Sequence, residues 1–179
     1  MGYKHRREDI LEAAVNASLE IGIGGLTFGR VAKRLDLPDR TIVYYFPNKE
    51  ALIVAVIEAH SARLEKVLEA AFAQPARDHV DLLRMAWPVI ASPGADPVFR
   101  IFFEIVGLAT RGVAQFAQLV PGLMEAWIGA LMLRLDLPDD ARRAEAEAAV
   151  AVIDGLLLVR HAHGPEAADR AAARLIAAR

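Results

Sequence analysis

The chain has 179 residues, 55% of them apolar and 25% charged, with a formal net charge of −2. That length can bury a real core, as one domain or as a small domain fused to a larger one, and bulk charge gives no argument for nucleic acid. No cysteine is present, which excludes a disulfide framework and thiolate metal sites and suits a reducing cytoplasm.

The N-terminus, Met-Gly-Tyr-Lys-His-Arg-Arg-Glu-Asp, lacks an apolar signal core. A first helix is expected from about Arg7 to Ile21, with Ile10, Ala14, Ala17, Ser18 and Ile21 on one face and Gly22, Gly24 and Gly25 ending it. Thr27 is placed to cap a second helix, in which Phe28, Val31, Ala32 and Leu35 recur at helical spacing. Asp36-Leu37-Pro38 breaks it, because proline disfavours helical geometry at the preceding residue. A short third helix then carries Thr41, Tyr44, Tyr45 and Phe46 as far as Pro47. Two short helices around a tight turn are the layout of a helix-turn-helix, a DNA-reading unit.

Asn48 can cap a fourth helix running to about Phe72, with Ile53, Val56, Ile57, His60, Leu64, Val67 and Leu68 in a stripe. At ~1.5 Å per residue it is on the order of 35 Å long, enough to link two domains mechanically. Beyond Gln74-Pro75, further helices are expected over about 77–91, 96–111, 113–135, 140–163 and 166–178. Pro121 falls inside the third of these and is expected to kink or split it. The most apolar late stretch, Ala148 to Val159, is too short to span a bilayer and carries Asp154. Alanine-rich composition without strand-like alternation makes the whole chain all-α, with residues 1–47 as a DNA-binding domain and 48–179 as a second helical body.

The placement of charge agrees with that division. Residues 1–49 carry eight basic and six acidic side chains, a net +2 that leaves −4 for the rest. A reading helix inserts its N-terminal half into the major groove, so Pro38, Asp39, Arg40, Thr41 and Tyr44 are candidates for DNA contact. Arg40 is the foremost base reader, since a guanidinium pairs bidentately with a guanine edge. Asp39 either accepts from a cytosine amino group, pairs with Arg40, or simply favours the helix start. Tyr45 either reaches the backbone or packs with Phe46. Lys49, beside free amides at a helix start, suits a phosphate. Thr27 and Arg30 are assigned to the opposite strand, and Lys4, Arg6 and Arg7 to a flexible arm along the duplex.

Thr27, Val31-Ala32, Leu35, Leu37, Thr41-Ile42, Tyr45-Phe46 and Asn48-Lys49 with Leu52 together resemble the N-terminal domain of the TetR family of transcriptional repressors, over about residues 8–57. Asp36 stands where the family often has glycine, Pro38 and Arg40 where serine and glycine are frequent, and Val43 where an aromatic is usual. The resemblance implies pairing through the last two helices into a four-helix bundle. Ala144, Ala148, Ala151, Gly155 and Ala162 form a stripe of small residues suited to close approach, which Leu175 and Ile176 extend, while Ala146, Val150, Ile153 and Leu157 supply a second apolar face; the alternative is that both faces serve the intrachain core. It further implies a drug- or metabolite-binding cavity in the middle segment. Candidate lining residues are Trp87, Phe99, Phe103, Glu104, Phe116, Met124, Trp127 and Asp154; for most of the aromatics a plain core is the alternative, and Glu104 could pair with Arg100.

Enzyme chemistry finds little support: His161 and His163 lie roughly 200° apart on a helix and cannot share a metal, and no nucleophile, phosphate loop or carboxylate pair stands out. The expectation is a cytoplasmic, homodimeric, ligand-responsive regulator that binds a double-stranded DNA operator, without cofactor, metal or membrane contact. Specifically, it is expected to be a repressor released by a small hydrophobic or amphipathic effector. A helical adaptor without specific DNA binding is the main alternative, and a small helical enzyme the lesser one. Sequence-specific, salt-dependent retardation of DNA separates the first from both.

Overall fold

The computed structural model describes residues 6–72 and 74–178. Those residues form nine helices and no strand: α1 (Arg7–Ile21), α2 (Phe28–Arg34), α3 (Asp39–Tyr45), α4 (Lys49–Ala71), α5 (His79–Ile90), α6 (Asp96–Thr110), α7 (Ala114–Met132), α8 (Asp139–His163) and α9 (Pro165–Ala177). Short polar side chains fix several of the starts. Thr27 Oγ1 accepts from the Arg30 amide at 3.3 Å and Asn48 Oδ1 from the Ala51 amide at 2.7 Å. Asp78 Oδ1 accepts from the amides of Val80 and Asp81, both at 2.9 Å.

The turn between α2 and α3 closes as a Schellman motif. The Leu37 amide donates to Ala32 O at 2.9 Å and the Asp36 amide to Lys33 O at 3.4 Å, which drives Asp36 to φ 53°. This is the position where the sequence comparison expected glycine, and the geometry explains why: a residue without Cβ enters the left-handed region freely.

Two apolar cores stack along the molecule. The first gathers Ile10, Ala14, Val15 and Ala17 of α1, Val31 and Ala32 of α2, Ile42 and Phe46, with Leu52, Ile53, Val56 and Ile57 from the first half of α4. Ile101 and Ile105 of α6 and Phe116 of α7 complete it, so this head is packed partly by residues from beyond position 47. The second is built from α5, α8 and α9 with the ends of α4, α6 and α7. Arg160 on α8 clasps Asp96 at the start of α6 in two hydrogen bonds of 2.7 and 3.0 Å, and Trp87 Nε1 on α5 donates to Asp169 on α9 at 2.9 Å.

Two sequence expectations are corrected. Ile21 is 40% exposed rather than part of the α1 core face, because the chain turns away at Gly22. Of the kink or split expected at Pro121, the split does not occur: α7 runs unbroken through it. Proline removes one amide donor, orphaning the carbonyl of Ala117, and both residues lie on the exposed side where water can satisfy it. No described helix is long and apolar enough to cross a membrane.

Candidate nucleic-acid interface and internal cavity

The helix-turn-helix presents α3 outward. Ile42 is buried and Tyr45 partly buried against the head core, which holds the helix by one face. The opposite face carries exposed Pro38, Asp39, Arg40, Val43 and Tyr44, the last 81% exposed, with Thr41 half-buried beside them. Tyr44 meets Tyr45 edge to face with ring centroids 5.0 Å apart. Arg34, by contrast, is tied to Glu20, and Arg63 to Glu12. Of the two alternatives for Tyr45, the one found is packing against the head core.

Other candidates have structural partners. Asp39 directs its carboxylate back toward α2, where a Cβ on Gly29 would lie 3.3 Å from Oδ2. Arg30 donates to Gly25 O, and Lys49 Nζ to Gly24 O at 3.4 Å, so both stay exposed but hug the α1–α2 loop. The basic arm is partly tied down: the Arg6 amide donates to Asp9 Oδ2 at 2.9 Å, and the Arg7 guanidinium sits 4.9 Å from the centre of the Phe46 ring. Lys4 lies outside the described residues.

A cavity of about 320 Å³ opens between the two cores. Its wall is drawn from α4 (Ile57, His60, Leu64, Phe72 beyond its end), α6 (Val98, Phe99, Phe102, Ile105), α7 (Leu123, Trp127, Leu131) and Asp154 of α8. Phe99, Trp127 and Asp154 stand where the sequence reading expected lining residues. Trp87, Phe103, Glu104, Phe116 and Met124 do not. Trp87 is buried against α9 through Asp169, Phe116 belongs to the head core, and Met124 packs with the second core. Phe103 is one step, ~100°, round α6 from Phe102. It faces His161 edge-on at 5.7 Å.

Glu104 does something the sequence reading did not anticipate. Instead of pairing with Arg100, its carboxylate accepts from the Ile23 amide at 2.8 Å and the Gly24 amide at 2.9 Å, in the loop between α1 and α2. A Cβ on Gly22, at φ 75°, would lie 2.6 Å from Oε2, so the glycine admits the carboxylate as well as the turn. Charge-assisted bonds of this length are about twice as strong as neutral ones. A residue of α6 thus holds the head, one turn from side chains that line the cavity.

Two of the titratable groups bordering the cavity have shifted proton affinities. His60 is 4% exposed, and burial lowers its pKa to about 4. Its Nε2 lies 2.9 Å from Ser18 Oγ, whose own proton goes to Val15 O at 2.7 Å; the neutral ring therefore donates from Nε2. Asp154 is pushed up to about 6 by burial alone. Sequence periodicity placed His60 on the packed face of α4, but the missed lining residues Phe72, Phe102 and Leu64 needed the register of three helices at once.

On the far side of α8, the small-residue stripe is uncovered. Ala144, Ala151, Gly155 and Ala162 are exposed and Ala148 half-buried, while Ala146, Val150, Ile153 and Leu157 fill the second core. Leu158, 55% exposed, falls in the same stripe between Gly155 and Ala162, and Leu175 on α9 is 44% exposed. Ile176 is half-buried against the second core. Nothing lies within 4 Å of where a Gly155 Cβ would be.

Residues 10–56 match the sequence profile of the bacterial regulatory proteins of the tetR family. No curated protein matches the chain in sequence. The fold is that of a transcriptional regulator from Rhodococcus sp. Rha1, with 17% identity over 96% of this chain and 94% of that one and a TM-score of 0.74. A TetR transcriptional regulator from Legionella pneumophila superposes with a TM-score of 0.68 at 18% identity, over 98% and 97% of the two chains. The multidrug binding protein EbrR, complexed with proflavin, is 25% identical over 96% of this chain and 99% of its own, with a TM-score of 0.65.

Proposed function

We propose that this chain, whose residues 10–56 match the tetR family profile and whose fold is that of solved transcriptional regulators, is a cytoplasmic homodimeric repressor of that family, released from its operator by a small apolar or amphipathic effector. Residues 1–47 read DNA and 48–179 sense the effector and pair the subunits, with α4 joining the two functions. One observation carries this reading: the outward face of α3 and the cavity are mounted on shared supports. Helix α4 packs in the head at Leu52–Ile57 and walls the cavity at His60 and Leu64. Helix α6 walls the cavity at Phe102 and Ile105 and grips the head through Glu104.

In this reading Arg40, Thr41 and Tyr44 enter the major groove, flanked by Pro38 and Asp39, with Thr27, Arg30, Tyr45 and Lys49 at the margins. The uncovered face of α8 and α9 pairs two copies so that the α3 helices sit about one duplex turn, ~34 Å, apart. The complex of EbrR with proflavin supports a cavity of this kind as the effector site. An effector acts only if it binds one head spacing better than the other; displacing α6 changes the hold of Glu104 on the α1–α2 loop, which makes such a preference possible.

The test is a mobility shift on the DNA flanking the gene, against a scrambled duplex of the same composition. Retardation of the first alone, weakening as salt rises, supports the proposal. Equal retardation of both, or none, favours the helical adaptor.

A further inference from the structure

Asp154 occupies an unusual place. It stands on α8 next to Ile153, which is fully buried, and reaches a cavity whose walls are otherwise dominated by Phe72, Phe99, Phe102, Trp127 and leucines. Among the described residues, no side chain pairs with its carboxylate or hydrogen-bonds to it, and burial is the only cause shifting its proton affinity. The other charged lining groups do not neutralise it. Arg134 is stacked 5.7 Å from the centre of the Phe72 ring, Glu65 adds a second negative charge, and His60 is held neutral by burial with Nε2 turned to Ser18. At neutral pH the lining therefore carries an unmatched negative charge among aromatic faces.

A desolvated carboxylate without a partner is unfavourable, and an apolar neutral ligand would desolvate it further. An anion would be repelled. A cation would supply the missing counter-charge while its body met the aromatic rings, whose faces attract positive charge within about 6 Å. We propose that the cavity takes an organic monocation with an apolar or aromatic body, its charge set against Asp154 and its body among Phe72, Phe99, Phe102 and Trp127. This rests on reading the cavity as the effector site and names the class of effector.

The experiment is calorimetry on the full chain with benzyltrimethylammonium and with neopentylbenzene, the neutral molecule of the same shape in which carbon replaces nitrogen. The ammonium is expected to bind about tenfold or more tightly than its neutral counterpart. Asp154→Asn is expected to reduce ammonium affinity by about tenfold while leaving neopentylbenzene within about twofold. Equal binding of the two molecules, ammonium binding indifferent to Asp154→Asn, or no ammonium binding at all would overturn the proposal. Because the substitution removes a half-buried, unpaired charge, the variant should fold, and a thermal melt monitored by circular dichroism verifies it. A parallel mobility shift separates the two readings. Ammonium selectivity without specific DNA retardation supports the cation site and removes the repressor, whereas specific retardation without that selectivity removes only the cation site.

Discussion

Arg40 is exposed on the outward face of α3, four positions before Tyr44, and its candidate role depends on reaching a base edge from that helix. Truncating it to alanine is expected to weaken operator binding by ~1–3 kcal/mol and to relax preference at one base pair. Binding measured against a panel of single-base operator variants checks this; an unchanged preference profile removes Arg40 as a reader. Asp36 offers a test of the turn beneath it. At φ 53° a Cβ is strained, though aspartate tolerates that region better than most residues. Asp36→Ala should therefore destabilise the protein by ~1 kcal/mol, while Asp36→Gly should be neutral or slightly stabilising. Chemical denaturation in which the alanine variant is as stable as the glycine variant would show that the Schellman turn is not what shapes this segment.

At the scale of helices, α6 and α8 carry the argument because each presents different faces to different neighbours. Replacing Glu104 by glutamine removes the charge and one of the two acceptor oxygens that hold Ile23 and Gly24. Faster hydrogen exchange at those two amides, by about tenfold or more, is expected in Glu104→Gln, with little change in the second core. Unaltered protection there would mean that α6 does not hold the head through this contact. For α8, Gly155→Leu adds a side chain into open space, so the monomer fold should accept it while the proposed subunit pairing through this face should fail. Sedimentation tells the two apart: the same dimer as wild type would place the pairing face elsewhere.

The same helices show what the sequence could reveal. Helix starts were legible at Thr27 and Asn48, since a cap is written within three residues, and the outward stripe of α8 was legible because its small residues recur on one face. The cavity was not, beyond Phe99, Trp127 and Asp154. Three phenylalanines, Phe99, Phe102 and Phe103, lie close together on α6, and only the tertiary rotation of that helix decides that Phe102 enters the cavity while Phe103 turns to His161. Glu104 looked like an intrahelical partner of Arg100; its actual partners are amides some eighty positions away, which no local pattern encodes.

Across the whole molecule, His60 and Asp154 place opposing pH dependences on either side of one cavity. His60 has a folded pKa near 4 against an ordinary 6.5, so its contribution is intact above pH 6.5 and is lost as pH falls toward 4. Asp154 works the other way: raised from 3.8 to about 6, it favours folding below pH 3.8 and that benefit disappears as pH rises through 6. Between pH 4 and 6 the two partly cancel. Asp154→Asn should thus raise the melting temperature at pH 7.5, by roughly 2–6 °C for a penalty on the order of 1–2 kcal/mol, and leave it nearly unchanged at pH 4. A gap between variant and wild type that is constant over pH would contradict the desolvated carboxylate.

The proposed twofold assembly would also make a geometric demand on DNA. Selecting duplexes from a random-sequence library with the full chain, and reading the recovered sites, puts that demand to the sharpest test. The expected product is an inverted pair of half-sites centred about one helical turn, roughly 10 base pairs, apart. A pool with no enriched sequence, or a single half-site with no symmetric mate, would contradict a twofold regulator reading DNA through α3.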